Sequence, residues 1–115
     1  MYVNNYHKID SKTTDVEGLT ERWVINKEHG AINFSMRLLE LEPAKSTRTH
    51  THSSEHEVFV LVGLGNVEGE DGKVYQIREG SVVYIAPNEM HKFNNTGASK
   101  LRMIDVVMFT SRITK

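Results

Sequence analysis

The chain has 115 residues, and its 14 basic residues nearly balance its 15 acidic ones, which gives a formal net charge of −1. This length fits one domain, and the charge lacks the basic excess expected of a protein that binds nucleic acid or anionic membranes. Cysteine is absent, which excludes disulfides, cysteine-ligated metals and a cysteine nucleophile. No apolar run approaches the roughly 18 residues that span a bilayer, and the polar N-terminus lacks the apolar segment of a signal peptide, so we expect a cytoplasmic protein.

The first 20 residues are polar and weakly patterned, and they predict an N-terminal arm with little core of its own, followed by a domain over residues 21–115. Short runs of strand-forming residues then alternate with turn signals. The predicted strands lie within residues 22–27, 32–41, 58–62, 67–77, 81–86 and 101–109. Asp71-Gly72 predicts a two-residue hairpin inside the fourth run. Seven to ten short strands without a helical pattern indicate an all-β barrel or sandwich.

The apolar pattern also predicts which faces of the strands are buried. Residues 32–41 alternate in their first half with the period of two of a strand, and residues 58–62 form a continuous apolar run, which predicts a strand buried on both faces. The alternation places Ile32, Phe34, Met36 and Leu38 on one face of the strand and Asn33, Ser35 and Arg37 on the other. The large side chains expected in the core rather than against a ligand are Phe34, Met36, Phe59, Phe93, Met103 and Met108.

Four of the six histidines are candidate metal ligands. His50 and His52 point the same way in an extended chain, because residues i and i+2 share a face, and His56 keeps that parity. A fourth donor must come from a distant strand, and His91, just after a proline-containing turn, is the one histidine placed to supply it. Imidazole nitrogens bind Zn, Cu, Fe and Ni well and Mn acceptably. The alternative is that residues 45–56 form a solvated loop whose histidines bind nothing.

Over residues 33–107 the chain resembles the single-domain cupins, a family of small β-barrels. Their first motif is Gly, five residues, His-x-His, three or four residues, Glu, six residues, Gly, and the stretch from Ala44 to Gly63 follows it. Their second motif is Gly, five residues, Pro-x-Gly, two residues, His, three residues, Asn, and the stretch from Gly80 to Asn95 follows it. The chain looks especially like small bacterial cupins with four histidine ligands, some of which hold manganese.

The chain departs from these motifs in two ways. Ala44 replaces the first glycine, Ala86 the usual proline and Asn88 a turn glycine, the last being a mild change because asparagine tolerates the left-handed region. The departure at the ligands matters more. His56 stands where glutamate is common, and Glu57 is next to it. Because consecutive strand residues face opposite ways, only one of the two can point inward. The spacing to the closing glycine favours His56, and Glu57 remains the alternative.

The resemblance implies a jelly-roll (double-stranded β-helix) barrel that binds a divalent metal through His50, His52, His56 and His91, with Mn or Fe favoured and Zn, Ni or Cu possible. Four neutral imidazoles leave the ion its full charge as a Lewis acid, with open positions for water, oxygen or substrate. The activity implied first is a metal-dependent oxygenase, such as a dioxygenase, acting on a small organic molecule. The alternatives are a non-redox lyase, isomerase or cyclase, and a cupin that binds or senses a small molecule without turnover.

Asp105 interrupts the apolar run at residues 101–109 and is a candidate catalytic residue. A carboxylate among apolar neighbours is costly unless it is paired. It could be a general base or a substrate anchor whose pKa is raised by burial. The competing interpretation is a salt bridge, with Arg37 as the candidate partner. Each ligating imidazole should also donate its second N–H to a carboxylate or carbonyl, and Glu55 and Glu57 are near in sequence.

The arm at residues 1–20 suggests a homodimer. Open edge strands of a small barrel are prone to pair with other chains, and cupins often cover them by dimerising through N-terminal strands. No nucleic-acid or membrane partner is expected.

Overall fold

The computed structural model describes residues 1–49 and 51–109. Within them the chain forms nine β-strands and two short 3-10 turns, Tyr6–Lys8 and Lys27–His29, with no α-helix. The strands are β1 (Lys12–Thr13), β2 (Leu19–Ile25), β3 (Phe34–Leu41), β4 (His56–Val62), β5 (Leu64–Glu68), β6 (Val74–Arg78), β7 (Val82–Ile85), β8 (Lys92–Asn95) and β9 (Leu101–Met108).

The strands form two antiparallel sheets that make a jelly-roll barrel. The larger sheet has the order β1-β2-β3-β9-β4-β7 and the smaller one has the order β6-β5-β8. The apolar core consists of Leu41, Val58, Val60, Val67, Ile77, Ile85, Phe93, Leu101 and Met103, which come from strands of both sheets. The all-β jelly-roll predicted from the sequence is confirmed, as is the expected number of strands.

The predicted strands were located to within a few residues, but two strands were missed. β1 has only two residues, and β8 is the polar sequence KFNN, so neither carries a clear apolar signal. The predicted two-residue hairpin at Asp71-Gly72 is wrong, because β5 and β6 are joined by residues 69–73. This longer turn is closed by a hydrogen bond from the Gly69 N–H to the Lys73 carbonyl.

Three neighbouring strands of the larger sheet set the character of the barrel interior. In β9, Leu101, Met103 and Asp105 are all nearly inaccessible to solvent. They alternate with half-buried residues on the other face of the strand. Since Asp105 pairs with Arg37 of β3 and with Val58 of β4, the interior changes along these strands from an apolar core to a polar end.

The outward face of the larger sheet is more apolar than the sequence pattern suggested. The prediction that Phe34 lies in the core is wrong, since its side chain is 58 % exposed, and Ile32, assigned to the same face, is 71 % exposed. Residues 58–62 are not buried on both faces, because Phe59 is 44 % exposed and alternates with buried Val58 and Val60. Of the side chains expected in the core, Phe93 and Met103 are buried, Met36 is half-buried, and Phe34, Phe59 and Met108 are exposed.

The first 20 residues pack along their own sheet. β1 pairs with β2 at the edge of the larger sheet, and Arg22 of β2 donates hydrogen bonds to the carbonyls of Tyr6 and Ile9. No residue in this segment is fully buried. The expected boundary at residue 20 falls inside β2.

Two positions where the chain departs from the cupin motifs adopt the left-handed backbone conformation. Ala44 and Asn88 have φ of 64° and 65°, and they are the only non-glycine residues with positive φ in the described part of the chain. The left-handed region costs an alanine about 1–2 kcal/mol, which explains why the motif has glycine at position 44.

We therefore expect Ala44→Gly to raise the free energy of unfolding by about 0.5–1 kcal/mol, since relief of strain exceeds the added flexibility of the unfolded chain. Urea unfolding measures the change. Ala98→Gly is the control, because exposed Ala98 does not have positive φ and glycine there should leave stability unchanged or lower it. Equal destabilisation by both substitutions would contradict the strain at Ala44.

Candidate metal centre

Three of the four predicted ligand histidines come together at the polar end of the barrel. The ring centroids of His52 and His56 are 3.9 Å apart, those of His52 and His91 are 4.9 Å apart, and those of His56 and His91 are 6.4 Å apart. His56 and His91 are buried, and His52 is half-buried. The fourth predicted ligand, His50, lies outside the described residues.

Local backbone structure explains how segments far apart in sequence meet here. His56 begins β4 on the interior row that continues through Val58 and Val60. His52 lies in the loop before β4, and its carbonyl accepts a hydrogen bond of 2.7 Å from the Asn88 N–H. Asn88 belongs to the turn that precedes His91, so this bond ties the two histidine-bearing segments together.

The three rings share one tautomer. The Nδ1 atom of His52 lies 3.0 Å from the Ser54 carbonyl, that of His56 lies 2.9 Å from Asp105 Oδ1, and that of His91 lies 2.9 Å from the Glu89 carbonyl. Because each of these oxygens accepts hydrogen bonds, Nδ1 is the ring nitrogen that carries the proton, and in a neutral ring the lone pair is then on Nε2. Metal-ligating histidines commonly have this arrangement, in which an acceptor fixes the ring through its other nitrogen.

The acceptors differ from those suggested by sequence proximity. Glu55 accepts a hydrogen bond of 3.4 Å from the Tyr84 hydroxyl, and Glu57 is exposed on the opposite face of β4 from His56. The structure therefore turns His56 rather than Glu57 toward the interior. The remaining described histidines lie elsewhere, with His7 stacked on Tyr6 and His29 stacked on Tyr2.

Asp105 is buried between the guanidinium group of Arg37 and the imidazole ring of His56. Its side chain is 1 % exposed, its Oδ2 atom accepts a hydrogen bond of 2.8 Å from Arg37 Nε, and its Oδ1 atom faces His56. The salt bridge to Arg37 considered in the sequence is therefore present. Burial acts to raise the pKa of Asp105, but the hydrogen bond from His56 and the charge of Arg37 outweigh it and lower the pKa. The expectation of a raised pKa is wrong. A carboxylate that is ionised and already accepts hydrogen bonds from two side chains is poorly suited to act as a general base.

The histidines line a cavity of about 500 Å³ that opens to solvent at one end. This volume lies in the range of small-molecule sites. The arm supplies part of its wall through Thr14, Asp15 and Val16. Its apolar lining comes from Val16, Leu19, Leu39, Val58, Ile85, Phe93 and Met103, and its charged lining comes from Asp15, Glu21, Arg37, Arg48 and Asp105.

Sequence reasoning did not identify Glu21 or Arg48 as lining the cavity. Glu21 lies on β2, and its carboxylate is 3.0 Å from Arg37 Nη1. Arg48 lies just before the His-x-His segment, and its guanidinium is 3.1 Å from Asp15 of the arm. The sequence did identify Arg37 as the candidate partner of Asp105, but nothing in the local pattern points to Glu21.

The fold and the site place the chain among β-barrel proteins of the jelly-roll class that have a cavity lined by histidines at one end of the barrel. The chain belongs to the cupin family, since residues 37–107 match the family Cupin_2, described as a cupin domain.

Similar proteins carry several different functions. The chain is 32 % identical over 71 residues to the oxalate-binding protein of Thermotoga maritima, a match that covers 61 % of this chain and 58 % of that protein. It is 25 % identical to the polyketide cyclase RemF from Streptomyces resistomycificus, with a TM-score of 0.88 over 94 % of this chain and 79 % of the cyclase. A predicted oxalate decarboxylase from Thermotoga maritima, 23 % identical, has a TM-score of 0.80 over 94 % of this chain and 99 % of that protein and supports the fold alone.

The donor set fits a divalent metal, although a complete ligand cage is not preformed. Among residues 1–49 and 51–109, no group of three or more histidine, cysteine, aspartate or glutamate side chains already converges to hold an ion. The three described imidazoles nevertheless have the tautomer that leaves Nε2 able to bind a metal. The fit therefore rests on the type and tautomer of the donors.

The part of the chain that the structure describes contains no helix long and apolar enough to cross a membrane.

Proposed function

We propose that this chain is a metal-dependent cupin enzyme whose ion is bound by His50, His52, His56 and His91 and whose substrate is a small organic anion. The observation that carries the proposal is the meeting of three buried or half-buried imidazoles, each with Nδ1 facing an oxygen acceptor, inside a cavity of about 500 Å³. Mn or Fe is favoured, and Zn, Ni or Cu would also suit imidazole ligands.

The charges of the cavity favour an anionic substrate once a metal is bound. The charged side chains that line it carry three negative and two positive charges, which give a net charge of −1. Four neutral imidazoles would add nothing, so a divalent ion would bring the cavity to a net charge of +1. A singly charged carboxylate or enolate would then balance the site. The apolar lining would accommodate the rest of a small molecule.

We propose non-redox chemistry, of the lyase, isomerase or cyclase type, as the reaction. The supporting observation is the similarity over 94 % of the chain to a polyketide cyclase. A divalent metal would supply a Lewis acid that stabilises negative charge on a substrate oxygen. The protein would hold the ligand rings through Asp105 and the two backbone carbonyls, and its apolar walls would limit the access of water.

A dioxygenase, the activity expected first from the sequence, remains the second candidate, because four neutral imidazoles leave coordination positions open to oxygen as well as to substrate. Binding without turnover is the third candidate, and the 32 % identity to an oxalate-binding protein supports it.

One experiment separates these candidates. The protein is loaded with Zn(II), Mn(II) or Fe(II) and mixed with small carboxylates, including oxalate and β-keto acids, with and without oxygen. Conversion by the zinc form without oxygen, followed by NMR, is the expected result. Conversion that requires Fe(II) or Mn(II) and consumes oxygen would favour the dioxygenase. A rise in melting temperature without product would favour a binding protein, and the absence of both metal and ligand binding would contradict the whole proposal.

We also propose a homodimer. Two features support it. β1 lies at the open edge of the larger sheet, and the outward face of that sheet exposes large apolar side chains, including Phe34, Phe59, Val82 and Tyr84. Exposed apolar patches of this kind are typical of association surfaces. A monomeric mass in light scattering at micromolar concentration would contradict the dimer.

A further inference from the structure

A row of hydrogen-bonded charged side chains extends from His56 across the larger sheet. Asp105 contacts His56 through Oδ1 and Arg37 through Oδ2. Arg37 in turn donates a hydrogen bond of 3.0 Å from Nη1 to Glu21 Oε1. These contacts link β4, β9, β3 and β2, four consecutive neighbours of the larger sheet.

Arg37 is held rigidly enough to fix the plane of the Asp105 carboxylate. It lies directly opposite Asp105 in the β3–β9 pairing, and its guanidinium carbon is 5.1 Å from the ring centroid of Trp23. The planar guanidinium places its donors in a fixed fork. Because Arg37 engages one carboxylate oxygen, the other oxygen is directed at His56 Nδ1.

We propose that Arg37 and Glu21 are positioning residues that hold Asp105 and, through it, the ring of His56 with Nε2 available for the metal. This inference rests on the proposed function, because it assigns His56 as a ligand. It goes beyond that function by assigning roles to two residues that bind neither metal nor substrate in the proposal.

The opposite face of the same sheet provides an internal comparison. Glu40 is a buried carboxylate that binds two arginines, with its Oε1 atom 3.3 Å from Arg22 Nε and its Oε2 atom 2.8 Å from Arg102 Nε. These ion pairs resemble the Arg37–Asp105 pair, but no histidine contacts Glu40. Removal of Arg102 therefore reproduces the loss of a carboxylate–arginine pair without affecting a proposed ligand.

The test uses two measurements on the full chain. In the metal-free protein, ¹⁵N NMR of the histidine rings reports the tautomer of His56. Zinc affinity is then measured by competition with a chelator at one pH. The variants are Arg37→Met, Arg37→Lys and Glu21→Gln, with Arg102→Met as the matched control.

We expect Arg37→Met to lower the population of the Nδ1–H tautomer of His56, because the Asp105 carboxylate is no longer held in one plane, and to weaken zinc binding about 10–100-fold, the usual cost of removing an outer partner of a metal ligand. Arg37→Lys should have an intermediate effect, because it retains the charge and loses the fork. Glu21→Gln should weaken zinc binding about threefold in the parent protein. It should have no effect in the Arg37→Met background, since its effect passes through Arg37. Arg102→Met should change neither measurement, even if it lowers the melting temperature.

An unchanged His56 tautomer together with unchanged zinc affinity in Arg37→Met would overturn the proposal, as would equal effects of Arg37→Met and Arg102→Met. If the parent binds no zinc, the proposed function fails, but the NMR comparison still decides the role of Arg37. A His56 tautomer that depends on Arg37 but not on Arg102 would support the positioning role in that case.

Discussion

Replacement of His91 by alanine should remove nearly all of the metal from the purified protein. His91 is the one proposed ligand that lies outside residues 50–56, so its loss leaves only donors from one short segment. The affinity for the metal should fall about 100-fold or more, because loss of a residue that only hydrogen-bonds to a ligand already lowers metal affinity about 10–100-fold. Elemental analysis of protein purified without added metal measures the effect, with near-stoichiometric metal expected in the parent.

His7→Ala is the matched control for this substitution. His7 is exposed and stacks on Tyr6, away from the cavity, so its removal should leave the metal content unchanged. Because His91 is buried, circular dichroism must first show that the His91→Ala variant is folded. A folded variant that retains the metal content of the parent would contradict the assignment of His91 as a ligand.

The second large effect is expected at Asp105. Asp105→Asn removes the negative charge that contacts both Arg37 and His56. Its amide N–H group must also face one of these two side chains, each of which is itself a hydrogen-bond donor. We expect the free energy of unfolding to fall by about 1.5–3 kcal/mol, the value of a hydrogen bond to a charged group. Urea unfolding measures the loss. Metal binding should also weaken by about 10–100-fold, because the ring of His56 is no longer fixed.

Glu40→Gln separates these two consequences. Glu40 is also a buried carboxylate paired with arginines, so this variant should lose stability but keep the metal affinity of the parent. Reduced metal affinity in Glu40→Gln equal to that in Asp105→Asn would indicate a general loss of structure. Undiminished stability and affinity in Asp105→Asn would contradict the role given to Asp105.

The same two carboxylates should make the stability of the protein fall in acid. Burial raises the pKa of Glu40, but Arg102 and Arg22 outweigh it, so the pKa of Glu40 is lowered, as is that of Asp105. The unfolded chain therefore takes up protons first as the pH falls. The stability from these groups is complete above their unfolded pKa values of 4.5 and 3.8 and is lost progressively below them. In Asp105→Asn the loss of stability with acid should be smaller than in the parent.

The sequence was sufficient to predict the fold and the gathering of His52, His56 and His91. The spacing of the histidines in the two motifs carries that information, and strand parity adds to it for His56 alone, which begins the interior row of β4, whereas His52 lies in the loop before that strand. Parity failed for β3 because both of its faces carry apolar side chains. Phe34, Met36 and Leu38 lie on the face of β3 turned away from the cavity, where Leu38 is buried and Phe34 is exposed, whereas Arg37 on the other face lines the cavity.

The partners of the histidines could not be predicted from sequence proximity. Glu55 and Glu57 are neighbours of His56 along the chain, but the acceptor for its Nδ1 atom is Asp105, 49 positions away. This contact depends on β9 lying between β3 and β4 in the sheet. The contact of Glu21 with Arg37 depends on a further pairing, that of β2 with β3. The role of Glu21 can therefore be inferred only when the strand order is known.

The central claim is that imidazoles from two distant segments bind one ion inside the barrel. Anomalous X-ray scattering from a crystal of the metal-loaded protein tests it most directly. The account predicts a single strong peak within bonding distance of Nε2 of His52, His56 and His91, with His50 as a fourth ligand. A peak at the exposed histidines, or no peak in protein soaked with a stoichiometric divalent metal, would contradict it.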